Sequence, residues 1–372
     1  MAERIRTVRA EEFDDFMRFL ERCYGHSYNF FPRAYPQLYR PDPDALECFL
    51  VLEVDGKIVS HVGLFPLELR SFGCRLMVGG VGGVATLPEE RGKGYMSRLL
   101  RHAISLMRER GWPLSALGGD RQRYATFGWE QAGLKVNLTL TRRALDWVGT
   151  KPAEVREAPP EEAAPVVDEL SKSLPLRVER RRADLVLRKQ GIRCWLSDDG
   201  YVITGGEIGN QTVFEVASPT GREAELIYGV LEKTFGGAAT VMLSAHDTER
   251  LSRLMRVAAS WSCGPDWQYR INDLHGLLKA FEPLLSERAK NSPDFEVSVG
   301  LKWESEVDIA TISVKDGRLE IVKGRESGNY FEFDIVEGAR LLLGGPGVDA
   351  SKLGPLACLL PLPVHIPALD HV

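Results

Sequence analysis

Apolar residues recur at three- and four-residue spacing from Met96 through Leu99, Leu100, Ala103 and Ile104 to Met107, while Arg98, Arg101, Arg108 and Arg110 take the opposite face. That spacing predicts an amphipathic helix, stopped by Gly111 and barred from continuing by Pro113. Upstream, the pattern predicts a strand at 5–8 and a helix whose Phe13, Phe16, Met17 and Leu20 form one stripe. A hairpin follows at 49–54 and 58–64, joined by Asp55-Gly56, a pair suited to the positive φ angles of a type I′ turn. Further strands are expected at 67–71, 78–86 and 114–117. Residues 24–44 are crowded with Tyr24, Tyr28, Phe30, Phe31, Tyr35 and Tyr39 in no clean period, which suits either a cover over the core or the wall of a pocket.

Part of this order returns later. A Pro, Glu and Ala-rich stretch at 151–165 reads as a linker. Strands at 194–196 and 201–204 flank Asp199-Gly200, and a third lies at 213–216. Helical spacing runs through Ala224, Ile227, Val230, Leu231 and Phe235, before a strand at 240–243 and a helix from Asp247. A third segment opens with a helix carrying Leu274, Leu277, Leu278, Phe281 and Leu284. Strands at 296–301, 307–314, 319–323 and 330–335 follow, with Asp316-Gly317 as a hairpin turn, and then a closing helix. Three segments, 1–150, 151–270 and 271–372, are expected, of α/β (α+β) class.

With 372 residues and 44% hydrophobic content, the chain can fill several cores. A net charge of −5 gives no support for nucleic-acid binding. No stretch reaches the roughly 18 consecutive apolar residues of a membrane span, and Met-Ala-Glu-Arg-Ile-Arg lacks the apolar core of a secretion signal, so a cytoplasmic location is expected. The 6 cysteines form no Cys-x-x-Cys pair and the 7 histidines no His-x-x-x-His pair, so no metal site is assigned.

The chemistry concentrates where the strand at 78–86 breaks at Pro88 into a loop that opens onto the long helix. Unpaired N–H groups and a dipole of roughly +0.5 charge favour an anion at a helix start. Gly92 and Gly94 let the backbone approach without a Cβ, and Arg91 and Lys93 add positive charge, which suits a pyrophosphate. The plainer reading is an ordinary strand-to-helix turn. The run Arg91-Gly92-Lys93-Gly94-Tyr95-Met96 resembles the Arg/Gln-x-x-Gly-x-Gly/Ala loop of the GNAT acetyltransferases, which holds the pyrophosphate of acetyl-coenzyme A. Met96 stands where Gly or Ala is usual, as an apolar residue does in Eis-like tandem acetyltransferases of the "enhanced intracellular survival" type. Downstream, Tyr124-Ala125-Thr126-Phe127-Gly128-Trp129 resembles the Tyr-x-x-Phe-Gly-Tyr/Phe run of the same enzymes.

The resemblance implies two tandem GNAT domains, an active one at 1–150 and a degenerate one at 151–270, with a sterol-carrier-like domain at 271–372. It implies direct acetyl transfer from acetyl-coenzyme A to a primary amine of aminoglycoside, polyamine or lysine type, without a metal. Tyr124 would protonate the departing thiolate, which a phenol of reference pKa about 10 can do, although a buried tyrosine is otherwise a packing residue. The carboxyl of Val372, where the family commonly ends in Phe, would assist the acceptor; near pKa 3.5 it is a weak base, suited to positioning water or stabilising the developing cation. The apolar, proline-stiffened stretch at 359–372 fits burial. Other candidate bases are Asp120, Glu130, His61 and His26.

For the cofactor, Val84, Ala85 and Thr86 would pair with the pantetheine arm, the amides of Arg91, Gly92, Lys93, Gly94, Tyr95, Met96 and Ser97 would hold the pyrophosphate, and Gly119 and Asp120 would lie nearby. No cysteine in the motifs offers an acyl carrier. At the junction taken as equivalent in the second segment, Ser244-Ala245-His246-Asp247-Thr248-Glu249 lacks glycine and carries two carboxylates, which argues against a second cofactor site. Eis-like relatives assemble as hexamers, so a homo-oligomer is expected. The rival readings are a non-catalytic acyl-coenzyme A or lipid-binding protein, and an assembly protein whose last segment binds an apolar ligand.

Overall fold

The computed structural model describes residues 2–207 and 210–372. The first segment runs β1 (Glu3–Thr7), α1 (Phe13–Tyr24), the short helices α2 (Phe30–Ala34) and α3 (Pro43–Leu46), β2 (Phe49–Val54), β3 (Lys57–Ser71), β4 (Cys74–Thr86), α4 (Tyr95–Glu109), β5 (Leu114–Leu117), α5 (Arg121–Ala125), β6 (Glu130–Thr141) and α6 (Arg142–Trp147). The apolar stripes of α1 and α4 are buried with Phe49, Leu50, Val62 and Leu64 in one core cluster. Asp55 and Gly56 take φ of 48° and 84°, and Phe72 and Gly73 form a second positive-φ turn at 47° and 82°.

The two strands expected at 58–64 and 67–71 are one, β3, which passes straight through Pro66. The proline fits because it falls in a gap on that side of β3. Pairing with β2 ends at Gly63 and pairing with β8 (below) starts at Glu68, so its missing N–H breaks no ladder there.

The second segment comprises β7 (Arg156–Ala158), α7 (Pro160–Ser171), β8 (Leu176–Glu179), α8 (Ala183–Leu187), β9 (Arg193–Ser197), β10 (Gly200–Glu207), β11 (Asn210–Ala217), α9 (Glu223–Thr234), β12 (Ala238–Ser244), α10 (Thr248–Met255) and β13 (Ser260–Ile271). The supposed linker at 151–165 is therefore largely structured. Pro160 suits the first turn of a helix, Glu161 and Glu162 complement its dipole, and Ala163 and Val167 are buried. Gly200 already belongs to β10, paired with Ser197, so the turn falls on residues 198–199. Phe235 leaves the apolar face of α9, because it takes the left-handed cap position and is 86% exposed.

Twelve of these strands form one path, β1-β2-β3-β4-β5-β13-β6-β12-β11-β10-β9-β7, with β8 added on β3. The centre is a reciprocal exchange. β13, from the second segment, pairs antiparallel with β5 of the first, while β6, from the first, pairs with β12 of the second.

The third segment has α11 (Leu274–Ala280), α12 (Glu282–Ala289), β14 (Phe295–Trp303), β15 (Glu306–Lys315), β16 (Arg318–Lys323), β17 (Tyr330–Asp334) and α13 (Ile335–Leu343). The single helix expected around Phe281 is split there, with a proline in the first turn of the second piece. Its sheet order is β16-β15-β14-β17, antiparallel except for β14 with β17. Among the described residues no helix is long and apolar enough to cross a membrane.

Candidate active site

The site is built on the far end of β4. Parallel pairing with β5 runs from Val78 opposite Leu114 to Val81 opposite Leu117, where β5 ends. Residues 82–86 thus have no strand on that side among the described residues. On the other side, the register with β3 slips between His61 and Gly63, and Gly83, at φ 60°, sits in the bulge. A Cβ on Gly83 would collide with the Tyr39 hydroxyl. His61 Nδ1 donates to the Gly83 carbonyl at 2.7 Å, and the Ser60 hydroxyl donates to that of Ala85 at 2.9 Å, fixing the bulge from behind.

Past Thr86 the chain makes a single 3-10 turn and enters α4 through Gly92 and Gly94, at φ 82° and 78°. Gly94 is the cap residue and supplies no side chain, so the first-turn amides of Tyr95, Met96 and Ser97 remain for an outside acceptor. Together with Val84, Ala85 and Thr86 they line a cleft of about 590 Å³ that also includes Cys23, Tyr24, Arg91 and Arg123. Arg91 reaches only main-chain carbonyls, those of Thr86 at 3.4 Å and Cys23 at 3.5 Å. Lys93 is paired with Glu90 at 2.8 Å. The cations free of a carboxylate partner here, among the described residues, are therefore Arg91 and Arg123. Arg123 was missed from sequence, although it directly precedes Tyr124.

Tyr24 was noted only as part of an aromatic crowd. Its hydroxyl donates to the Val84 carbonyl at 2.9 Å, so it borders the strand edge directly. No cysteine lies within the motifs along the chain, but Cys23 reaches them in space. Helix α1 brings it to the cleft, where burial pushes its thiol up to about 11, so it is protonated and a poor nucleophile at neutral pH.

Tyr124 is 6% exposed on α5, its ring against Gly119, where a Cβ would come within 2.8 Å of Cε2. Burial raises its pKa, and the neighbouring Arg123 opposes this, so the phenol carries its proton at neutral pH. Burial, and secondarily Tyr124, raise the pKa of Tyr24, which lines the cleft; Tyr124 and Lys93 themselves do not.

On another side of β4 lies the chain's last stretch. Leu362 N donates to Leu342 O at 2.8 Å, Ser71 to Pro363 O at 2.5 Å, and Ile366 N to Asp266 at 3.3 Å, while Asp266 also accepts from His365 at 2.7 Å. This brings Val372 against the strand. A Cβ on Gly82 would lie 2.9 Å from the Val372 carboxyl carbon, and one on Gly80 would lie 3.0 Å from its Cγ2. At about 3.3 Å per residue, Gly82 is roughly 7 Å along the strand from Val84. Val372 also lines a second cavity of about 240 Å³, with Leu38, Phe65, Met77 and Val178 among its apolar walls and Asp44, Glu68, Arg181 and Arg182 among its charged ones.

The remaining candidates fall away from this line. Asp120 is the exposed cap of α5, accepting from the Arg123 amide at 2.9 Å, and neither it nor Gly119 lines the cleft. Glu130 is buried in a two-bond pair with Arg121, at 2.5 and 2.9 Å. His61 is packed against Phe16 and Phe49, and burial holds it down to about 4. His26 is exposed and stacks on Phe30 at 3.8 Å.

The second segment needs a corrected alignment. Parallel β11 and β12, joined by α9, repeat the arrangement of β4, α4 and β5, so the counterpart of the 87–94 loop is 218–222 and not 244–249. Glu223, 2% exposed in the first turn of α9, puts a carboxylate near that helix start and is paired with Arg253 at 2.8 Å and Arg250 at 3.6 Å. Among the described residues, no group of three or more His, Cys, Asp or Glu could hold a metal ion.

Residues 4–132 match the family model for the acetyltransferase (GNAT) domain. No curated protein matches the sequence. Among solved structures, the chain resembles a GCN5-related N-acetyltransferase from Kribbella flavida at 20% identity, covering 100% of this chain and 98% of that one, with a TM-score of 0.74. It resembles another from Anabaena variabilis at 18% identity, covering 98% and 99%, with a TM-score of 0.73. Eis1 from Mycobacterium abscessus aligns at 15% identity over 92% and 90%, with a TM-score of 0.62. Residues 4–132 are thus similar to a GNAT acetyltransferase domain, and the mixed α/β fold is shared with solved structures over the whole length.

Proposed function

We propose that this chain is an acetyl-coenzyme A-dependent N-acetyltransferase of Eis-like organisation that moves the acetyl group directly from the thioester to a primary amine. The observation that carries the reading is the meeting of a strand edge without a partner strand, at Val84, Ala85 and Thr86, with the open amides of Tyr95, Met96 and Ser97 in one cleft. The strand edge suits the amide-bearing pantetheine arm, and the helix terminus with Arg91 and Arg123 suits the pyrophosphate. To pair with the arm, Val84 O would exchange its bond from Tyr24.

In this reading the amine enters from the second cavity and attacks the thioester carbonyl beside the bulge. The carbon–sulfur bond breaks, Tyr124 gives its proton to the sulfur, the proton lost from nitrogen passes to water held near the Val372 carboxyl, and solvent returns a proton to the Tyr124 phenolate. That carboxyl stabilises the cation as it forms. Residues 1–150 form the active unit, 151–270 a degenerate GNAT-like unit with the Glu223 carboxylate in the first turn of α9, and 271–372 a sterol-carrier-like layer. Assembly of several copies, up to a hexamer, belongs to the same reading, as does a cytoplasmic location; sedimentation would measure the first.

Titration calorimetry with coenzyme A and its acetyl ester, followed by thiol release over a panel of polyamines, aminoglycosides and lysine peptides, tests the proposal. Absence of binding would overturn it. Binding without turnover on any amine would favour the non-catalytic carrier instead.

A further inference from the structure

A charged cluster outside the cofactor cleft lies where the second segment grips the tail, its Arg180 and Asp370 also lining the second cavity beside Val372. Arg180, just after β8, donates to Asp370 through Nε and Nη2, each at 2.7 Å, and to Glu215 on β11 through Nη1 at 2.9 Å and Nη2 at 2.5 Å. The three side chains are 6%, 4% and 3% exposed, and Tyr201 on β10 donates to Glu215 at 2.7 Å. Beside them, Lys189 donates to the main-chain carbonyls of Leu369, at 2.6 Å, and His371, at 3.3 Å. The His371 ring lies against Trp267 of β13, with centroids 3.6 Å apart and planes tilted by 38°. Asp370 and His371 are the two residues that precede Val372.

A buried arginine shared by two carboxylates is an expensive way to gain stability, because apolar side chains of similar volume do as well or better. What it provides is a fixed geometry: bidentate bonds leave Asp370 little freedom. We infer that Arg180, Glu215 and Lys189 are positioning residues, through which the second segment holds the Val372 carboxyl against Gly82 for transfer in the first. The inference rests on the role given to Val372 under the proposed function. It assigns the second segment work that does not need a cofactor site of its own.

The test compares purified full-length Arg180→Gln, Arg180→Lys and Lys189→Met proteins. A misplacement of about 1 Å costs about 100-fold in rate, so Arg180→Gln should lose about 100-fold in kcat. Its KM for acetyl-coenzyme A and its calorimetric affinity for coenzyme A should stay at wild-type values. Arg180→Lys should recover part of the loss. Lys189→Met, which removes two bonds to the tail and leaves the three-residue cluster intact, should lower kcat less, and carboxypeptidase should release Val372 faster from both Arg180→Gln and Lys189→Met. A folded Arg180→Gln with wild-type kcat overturns the inference, as does a parallel loss of coenzyme A affinity. Should Arg180→Gln fail to fold, wild-type kcat in Lys189→Met overturns it. The acetyltransferase reading itself is judged on the wild type, and if that protein neither binds coenzyme A nor turns over, both proposals fall.

Discussion

Replacing Gly82 by alanine is a sharp probe of the reaction centre, because the added methyl meets one group above all. Gly82 does not have a left-handed φ, so alanine fits its backbone, and Phe65 is at an ordinary 3.5 Å. The atoms too close are the Val372 carboxyl carbon at 2.9 Å and its oxygen at 3.2 Å. Carbon atoms settle at about 3.5–4.0 Å, so the carboxyl must retreat by about 0.5–1 Å, and a chain end yields more easily than a paired strand. Such a shift corresponds to about 100-fold in kcat, or about 3 kcal/mol in the barrier. Thiol release under saturating acetyl-coenzyme A measures it, and calorimetry should find unchanged cofactor binding, since the cleft begins two residues further on. Gly80→Ala is the comparison: its methyl would meet the rotatable side-chain atoms Val372 Cγ2 at 3.0 Å and Leu67 Cδ1 at 3.1 Å and the main-chain oxygen of Phe65 at 3.3 Å, so it should cost some stability but change kcat several-fold at most. Wild-type kcat in Gly82→Ala would refute the role of the Val372 carboxyl.

Tyr124→Phe should lose at least about 100-fold in kcat with unchanged coenzyme A affinity, as expected on removal of a general acid; an unaltered rate would remove Tyr124 from the chemistry. Cys23, with its thiol raised to about 11, should react with a maleimide more slowly than the exposed Cys263 and Cys358. Saturating coenzyme A should slow it further, and mass spectrometry showing no protection would argue that the ligand binds elsewhere. Burial holds His61, His246 and His371 down to about 4, against about 6.5 in the unfolded chain. Between those values the unfolded chain binds more protons, so stability should be complete above pH 6.5 and fall progressively as the pH drops toward 4. A urea midpoint that stays flat over that window would contradict the neutral, buried state of these rings.

Local periodicity carried the reading wherever an element's own residues decide its shape. The stripe of α4, the Asp55-Gly56 and Asp316-Gly317 hairpins and the glycine loop were legible because their apolar spacing, turn chemistry and missing Cβ atoms act within a few residues of each other. Legibility failed where a distant strand decides. Pro66 reads as a break until one sees that neither β2 nor β8 needs its N–H. The counterpart loop at 218–222 was passed over because it carries one glycine and one cation, Gly221 and Arg222, followed at once by Glu223, where the loop at 91–94 has two of each. Cys23 and Tyr24 belong to α1 in sequence and to the cleft only after α1 is laid beside β4. Arg180 meets Asp370 across a separation of 190 residues, which no pattern along the chain can announce.

The exchange of β6 and β13 has a consequence for how the molecule can be made. Because β13 covers the side of β5 that its own segment leaves bare, a nascent chain leaving the ribosome cannot finish the first half until residue 271 has been translated. A truncated gene product ending near residue 150 would present β5 as an open, sticky edge, prone to pairing with its copies. Gene dissection aimed at an isolated catalytic module should therefore yield inclusion bodies, whereas co-expressing the complementary fragment offers that edge the strand it lacks.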